Sequence, residues 1–90
     1  MSRVYTVALL REDEGGYAVV VPALPGCVTQ GPTLAEALER VKEAIAGYLE
    51  TLEAHGEAVP EDSPTITFDL DDAKEALVTR VAVGEAVPVA

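Results

Sequence analysis

Apolar residues recur along this chain with two different periods. From Val4 to Leu10 the run VYTVALL is rich in β-branched and aromatic residues and predicts a strand. The polar stretch REDEGG follows, with Gly15 and Gly16 supplying the positive-φ positions of a turn. Tyr17 to Val21, YAVVV, predicts a second strand, and two strands joined this closely form an antiparallel hairpin. Pro22 has no N–H to give a ladder and ends the run. Pro25 presets φ, and Gly26 suits the position of a type II turn that needs positive φ. PALPG therefore reads as a corner built from backbone chemistry. Cys27 to Gln30 can pair as a short third strand, stopped by Gly31 and Pro32.

After Thr33 the period lengthens to that of a helix. TLAE is a capping box, in which Thr33 accepts from the Glu36 backbone N–H and the Glu36 side chain reaches back. Leu34, Leu38, Val41, Ile45, Tyr48, Leu49 and Leu52 form one apolar stripe. Most of the charged residues lie off that stripe, and Glu36 and Arg40 make an i,i+4 pair in the better orientation. His55 and Gly56 end the helix, with Gly56 as a left-handed cap. The loop EAVPEDSP follows. Residues 65–70, TITFDL, read as a strand, DDAKEAL as a helical turn, and VTRVAV, Val78 to Val83, as a better strand.

The order is βββαβ, an α+β fold of a single domain over residues 1–90. A right-handed crossover from the helix would lay the last strand parallel to the first, giving a mixed sheet in the order 3-2-1-4 with one long helix on one face. YAVVV and VYTVALL are apolar on both faces, the mark of strands covered on both sides. One helix covers one face only. A second copy, as dimer or tetramer, is expected over the other, and the tail 84–90 is available to such an interface.

Composition narrows the function. Apolar residues make up 49% of the chain, too many for a disordered tail. The formal net charge is −10, with only 6 Lys and Arg, and those are scattered. Phosphate backbones are bound by clustered cations, so direct nucleic-acid binding is not expected, while a basic partner protein is. No apolar run is long enough to span a bilayer, and the N-terminus lacks a signal-peptide cleavage site; a cytoplasmic protein is expected. Cys27 is the only cysteine, with no internal disulfide and no metal-ligand spacing, and reads as a small buried hydrophobe. The chain has no Asn, one Gln and one Met, which resembles thermophile composition.

EDEGGYAVVVPALPGCVTQGPTLAEALERVKEAIAGYLETLEAHGEAVPE resembles the N-terminal domain of HicB-type antitoxins. The resemblance rests on Gly15-Gly16-Tyr17, Pro22, Leu24-Pro25-Gly26-Cys27, Thr29-Gln30-Gly31, Thr33-Leu34-Ala35-Glu36-Ala37, Glu43-Ala44 and Pro60. It covers residues 4–61. Gly56, the helix cap, completes the structural set. The resemblance implies a partly degraded ribonuclease H-like fold and a role in binding and neutralising HicA, a small basic toxin that cleaves mRNA. The family's usual C-terminal DNA-binding domain is not evident after Glu61. Candidate contacts with a basic partner are Glu12, Asp13 and Glu14 at the hairpin and Glu36 and Glu43 on the helix.

A ribonuclease H-like fold raises a metal-dependent nuclease as a rival. Two-metal chemistry needs carboxylates converging on ions about 4 Å apart. VYTVALL and YAVVV carry none, and VTRVAV offers Arg80 instead. Only Asp13 and Glu14, in the turn, could reach a rim site. No catalytic, cofactor-binding or metal-ligating residue is assigned. A small ligand held between oligomerised sheets is a second rival, without a Gly-rich phosphate loop to support it.

Overall fold

The computed structural model describes residues 2–63 and 73–84. Five elements follow in order: β1, Ser2–Glu12; β2, Tyr17–Val20; β3, Val28–Gly31; α1, Leu34–Ala54; and β4, Ala73–Gly84. One four-stranded sheet has the order β3-β2-β1-β4. The expected strand at 65–70 and the tail 85–90 lie outside the described residues.

Local chemistry makes the elements as anticipated up to the helix end. At the hairpin, Gly15 and Gly16 take φ values of 90° and 84°, and the Gly15 N–H donates to the Glu12 carbonyl at 3.0 Å. At the corner, Gly26 has φ 83° and the Cys27 N–H donates to the Leu24 carbonyl at 2.9 Å, as a type II turn requires. The Val21 N–H donates to the Cys27 carbonyl at 3.2 Å and closes the loop. Thr33 caps α1, its hydroxyl accepting from the Glu36 N–H at 3.1 Å. The box is half made, because the Glu36 carboxylate turns to Arg40, 3.8 Å away. At the far end the Glu57 N–H donates to the Leu52 carbonyl and the Gly56 N–H to that of Glu53, with Gly56 at φ 67°. These are the two bonds of a Schellman motif.

Three expectations fail, two beyond the helix and one at its start. The last strand runs antiparallel to the first, so the sheet is wholly antiparallel rather than mixed. The reason lies in the connection. α1 starts at the Glu12 end of β1 and runs back toward the Ser2 end, where a short link would start a parallel strand. Instead Pro60 and Asp62 lie against Tyr5 and Thr6 of β1, and β4 starts with Ala73 opposite Glu12. Residues 73–77, read as part of a helical turn, are also the start of β4. Pairing overrides local propensity there: Leu77 faces Leu9, Ala76 faces Leu10, and Glu75 faces Arg11 with an ion pair at 3.5 Å. Finally, Leu34 does not head the helical stripe but is exposed, and Ala37 is buried in its place.

The core lies between the sheet and α1. Tyr5, Val7 and Leu9 of β1 meet Val19, Val81 and Val83 of the neighbouring strands, Leu24 and Cys27 of the corner, and Ala37, Val41 and Ile45 of the helix. The alternate residues of β1 point to the opposite face. Ala37 is buried because α1 lies almost against β3. A Cβ on Gly31 would stand 2.6 Å from the Ala37 nitrogen and 2.7 Å from its Cα.

Both contacting atoms at that point are backbone, so Gly31→Ala is expected to lower the unfolding free energy by roughly 1–3 kcal/mol in a urea titration. Gly47 sits mid-helix with open space around its missing Cβ. Gly47→Ala is expected to raise stability by about 0.5–1 kcal/mol in the same assay. If both changed stability in the same direction, the close approach at Gly31 would not be what seats the helix.

Candidate partner-binding surface

The exposed flank of α1 runs beside β3, an edge strand of the sheet, and two depressions lie along it. The first, about 610 Å³, is lined by the acidic hairpin, Glu12, Asp13 and Glu14, by Gly15, Gly16 and Tyr17, and by Gln30, Gly31, Pro32 and Arg40. The second, about 490 Å³, is lined by Gly26, Cys27 and Val28 of the corner and by Glu43, Ala44, Gly47, Tyr48, Thr51 and Leu52 of the helix. The hairpin trio thus gathers at one end. Glu36 joins it through Arg40, and Glu43 stands apart in the second groove. All five carboxylates are exposed.

Two side chains not singled out as contacts fasten this flank. The Arg40 guanidinium donates to the Gln30 carbonyl at 3.2 Å, and the Tyr48 hydroxyl donates to the Pro25 carbonyl at 2.8 Å. The helix is therefore tied both to the edge strand and to the PALPG corner. That corner is a structural anchor. Cys27 is buried in it, and burial pushes its thiol above the ordinary range, away from a reactive thiolate.

A third fastening was not visible as such in the sequence. The β1–β2 register, continued two places beyond Ala8 and Val20, would set Pro22 opposite Thr6. β2 has already ended at Val20, so no carbonyl of that strand accepts from the Thr6 N–H. Asp62 takes the vacated place, accepting from the Thr6 N–H at 2.8 Å and the Thr6 hydroxyl at 2.7 Å. Two residues earlier, the Pro60 carbonyl accepts from the Tyr5 hydroxyl at 2.5 Å. The chain after α1 is thus strapped across β1. Desolvation pushes the Asp62 carboxyl up, but the two Thr6 hydrogen bonds, one from the Ser63 backbone and the charge of Arg80 outweigh it, and the net shift is downward. Burial pushes the Tyr5 phenol up, with Arg3 pulling it back and Asp62 adding to the rise.

Among the described residues no group of three His, Cys, Asp or Glu is placed to hold a metal ion. Nor, among them, is any helix long and apolar enough to cross a membrane. The arrangement is a rigid, carboxylate-bearing surface suited to meeting another macromolecule.

Comparison with known proteins agrees with this picture. The profile of the HicB-like antitoxin family of bacterial toxin–antitoxin systems matches residues 5–84. A UPF0150 protein of Thermoplasma acidophilum is 52% identical over 59 residues, which are 66% of this chain and 86% of that protein. The antitoxin HicB of Escherichia coli K12 is 37% identical over 65 residues, which are 72% of this chain and 47% of that protein, so the match spans about half of it. Among solved structures, the N-terminal domain of the Burkholderia pseudomallei antitoxin HicB superposes with a TM-score of 0.68 at 29% identity, covering 91% of this chain and 99% of that one. A toxin–antitoxin complex from Streptococcus pneumoniae shares the fold, with a TM-score of 0.76 at 19% identity over 93% of this chain and 70% of that one.

The strap yields a pH prediction. The folded-state pKa of Asp62 lies below the unfolded value of about 3.9, so its stabilisation is present above that pH and is lost as pH falls through the folded value. Asp62→Ala leaves the buried Thr6 N–H without its acceptor and is expected to cost about 1–3 kcal/mol at pH 7. The deficit relative to wild type should shrink in acid unfolding curves. A deficit unchanged from pH 7 to pH 2 would mean the carboxylate is not what holds the strap. At the corner, Gly26→Val should destabilise strongly because of its positive φ, while Cys27→Ala should leave partner binding intact in a pull-down.

Proposed function

The chain belongs to the HicB-like antitoxin family of bacterial toxin–antitoxin systems, and from that membership we propose that it binds and neutralises a HicA-type toxin, a small basic protein that cleaves mRNA. The family is one of antitoxins, so the role is a binding one and not an enzymatic one. The observation that carries the contact assignment is the row of exposed carboxylates beside α1. Glu12, Asp13 and Glu14 line the first cleft, Glu36 pairs with Arg40 beside it, and Glu43 lines the second. A basic protein approaching a surface of net charge −10 is steered to it, and a protein that must bind RNA through cations is blocked when those cations are occupied.

Three finer readings accompany this one. The chain self-associates, as dimer or tetramer, which the apolar character of both sheet faces supports. Its topology is a degraded ribonuclease H-like one: the strand order and single helix favour this, and the reversed β4 is where it departs from the expected parallel strand. It works in the cytoplasm and does not itself bind nucleic acid, a reading supported by its few, scattered cations.

Replacing Glu12, Asp13 and Glu14 together by Lys is expected to slow association with a HicA-type toxin by about 10- to 100-fold at low salt, with a much smaller effect on dissociation. Surface plasmon resonance at two salt concentrations measures this, and rescue of growth from toxin expression reads its consequence. Wild-type on-rates in the triple variant would place the contact elsewhere.

A further inference from the structure

Most glycines of the described chain answer a local demand. Gly15, Gly16, Gly26 and Gly56 take positive φ, and Gly31 gives way to the α1 backbone. Gly47 answers none of these. It sits in the interior of α1, it is not among the glycines of positive φ, and nothing stands within 4 Å of the place its Cβ would take. Glycine is the least favourable residue in a helix interior short of proline. What Gly47 provides is open space, and that space belongs to the second groove, the depression of about 490 Å³ between α1 and the PALPG corner.

The groove is largely apolar, braced, and carries one charge. Ala44, Tyr48 and Leu52 of the helix line it together with Val28 of the edge strand, which is 62% exposed. The bond from the Tyr48 hydroxyl to the Pro25 carbonyl, at 2.8 Å, fixes the helix against the corner. Glu43 is the one charged residue among those that line it. Glu36 and Glu39 on the same helix are paired with Arg40 and Lys42, whereas Glu43 makes no ion pair with any described residue. Nucleic acid needs cations, and no lysine, arginine or histidine lines the groove. A second copy would bring a net charge of −10 to Glu43. A basic protein satisfies both features at once, with an apolar side chain for the space and a cation for the carboxylate. We propose that this groove is the anchor site for the basic partner: it takes one or two apolar side chains of a HicA-type toxin, with a neighbouring lysine or arginine of that protein paired to Glu43. The proposal rests on the antitoxin reading above and adds the anchor to it.

Size and stiffness agree with an anchor. From Glu43 to Leu52 the groove follows α1 for roughly 14 Å, at about 1.5 Å per residue. Its volume lies within the ~300–1,000 Å³ of pockets that bury most of a bound group. Because helix and corner are already tied together, little order is lost when the partner enters. The two grooves then act on different rates. Exposed carboxylates at the hairpin govern encounter, and an apolar side chain taken out of water governs how long the complex lasts.

Surface plasmon resonance with the HicA-type toxin of the chain's own organism tests this on the wild type, Gly47→Ala, Gly47→Leu, Glu43→Lys and Glu50→Lys. One added methyl group at Gly47 is expected to speed dissociation about 10-fold and a leucine about 100-fold, with association changed by less than about threefold. Both residues favour a helix over glycine, so circular dichroism melts should hold or rise while binding falls. A glycine with a merely structural role does not produce that split. Glu43→Lys should weaken binding at least about fivefold more than Glu50→Lys, an equal change of charge on α1 at a residue that lines neither groove. Wild-type dissociation in both Gly47 variants would overturn the anchor and leave the antitoxin reading intact. Equal losses in the two lysine variants would overturn the pairing to Glu43. A wild type that binds no such toxin would overturn the antitoxin reading and the anchor with it. If Gly47→Leu fails to fold, Gly47→Ala decides by itself.

Discussion

A four-stranded sheet has two faces, and the described part of this chain supplies one long helix to cover them. Everything else in the structure follows from that imbalance. The helix must lie close to do its work with so little material, and it does so where Gly31 leaves no side chain between strand and helix backbone. It is then tied down at each turn of the edge strand and corner, by Arg40 to Gln30 and by Tyr48 to Pro25. Burial is concentrated on the covered face, where Tyr5, Val7 and Leu9 reach near-zero exposure. The outer flank of the helix is left free to carry charge.

The two sides of the structure differ in chemistry. Carboxylates gather on the hairpin and along α1, where their solvation is preserved and their field reaches outward. On the sheet side away from α1, Thr6 and Ala8 are buried while Val4, Val28 and Val78 stay exposed.

Residues whose local chemistry determines their geometry were legible in advance. Gly15 and Gly16, the Pro25–Gly26 turn, the Thr33 cap and Gly56 all stand where sequence reasoning puts them, because each answers a requirement set within a few residues. The region after Gly56 was not legible, because its geometry is set at long range. Asp62 reads as an ordinary loop residue until β2 is seen to end at Val20 and leave the Thr6 N–H in need of an acceptor. A signal was present: Thr6 is the one aliphatic hydroxyl in the run VYTVALL, and a buried hydroxyl calls for a partner. The strand at Ala73–Gly84 was hidden in the same way, since AKEAL favours a helix alone and a strand only beside β1. Of the candidate contacts, the hairpin acids gather with one another, while Glu43, separate in sequence, is separate in space.

The account stands most directly on one measurement: native mass spectrometry of the chain isolated from its own cells under mild conditions. It predicts a complex in which a small, lysine- and arginine-rich protein of HicA type is present in a fixed ratio to an even number of these chains. The isolated complex should be silent toward mRNA, and the separated basic protein active. Recovery of the chain alone, or with nucleic acid and no basic protein, would contradict it.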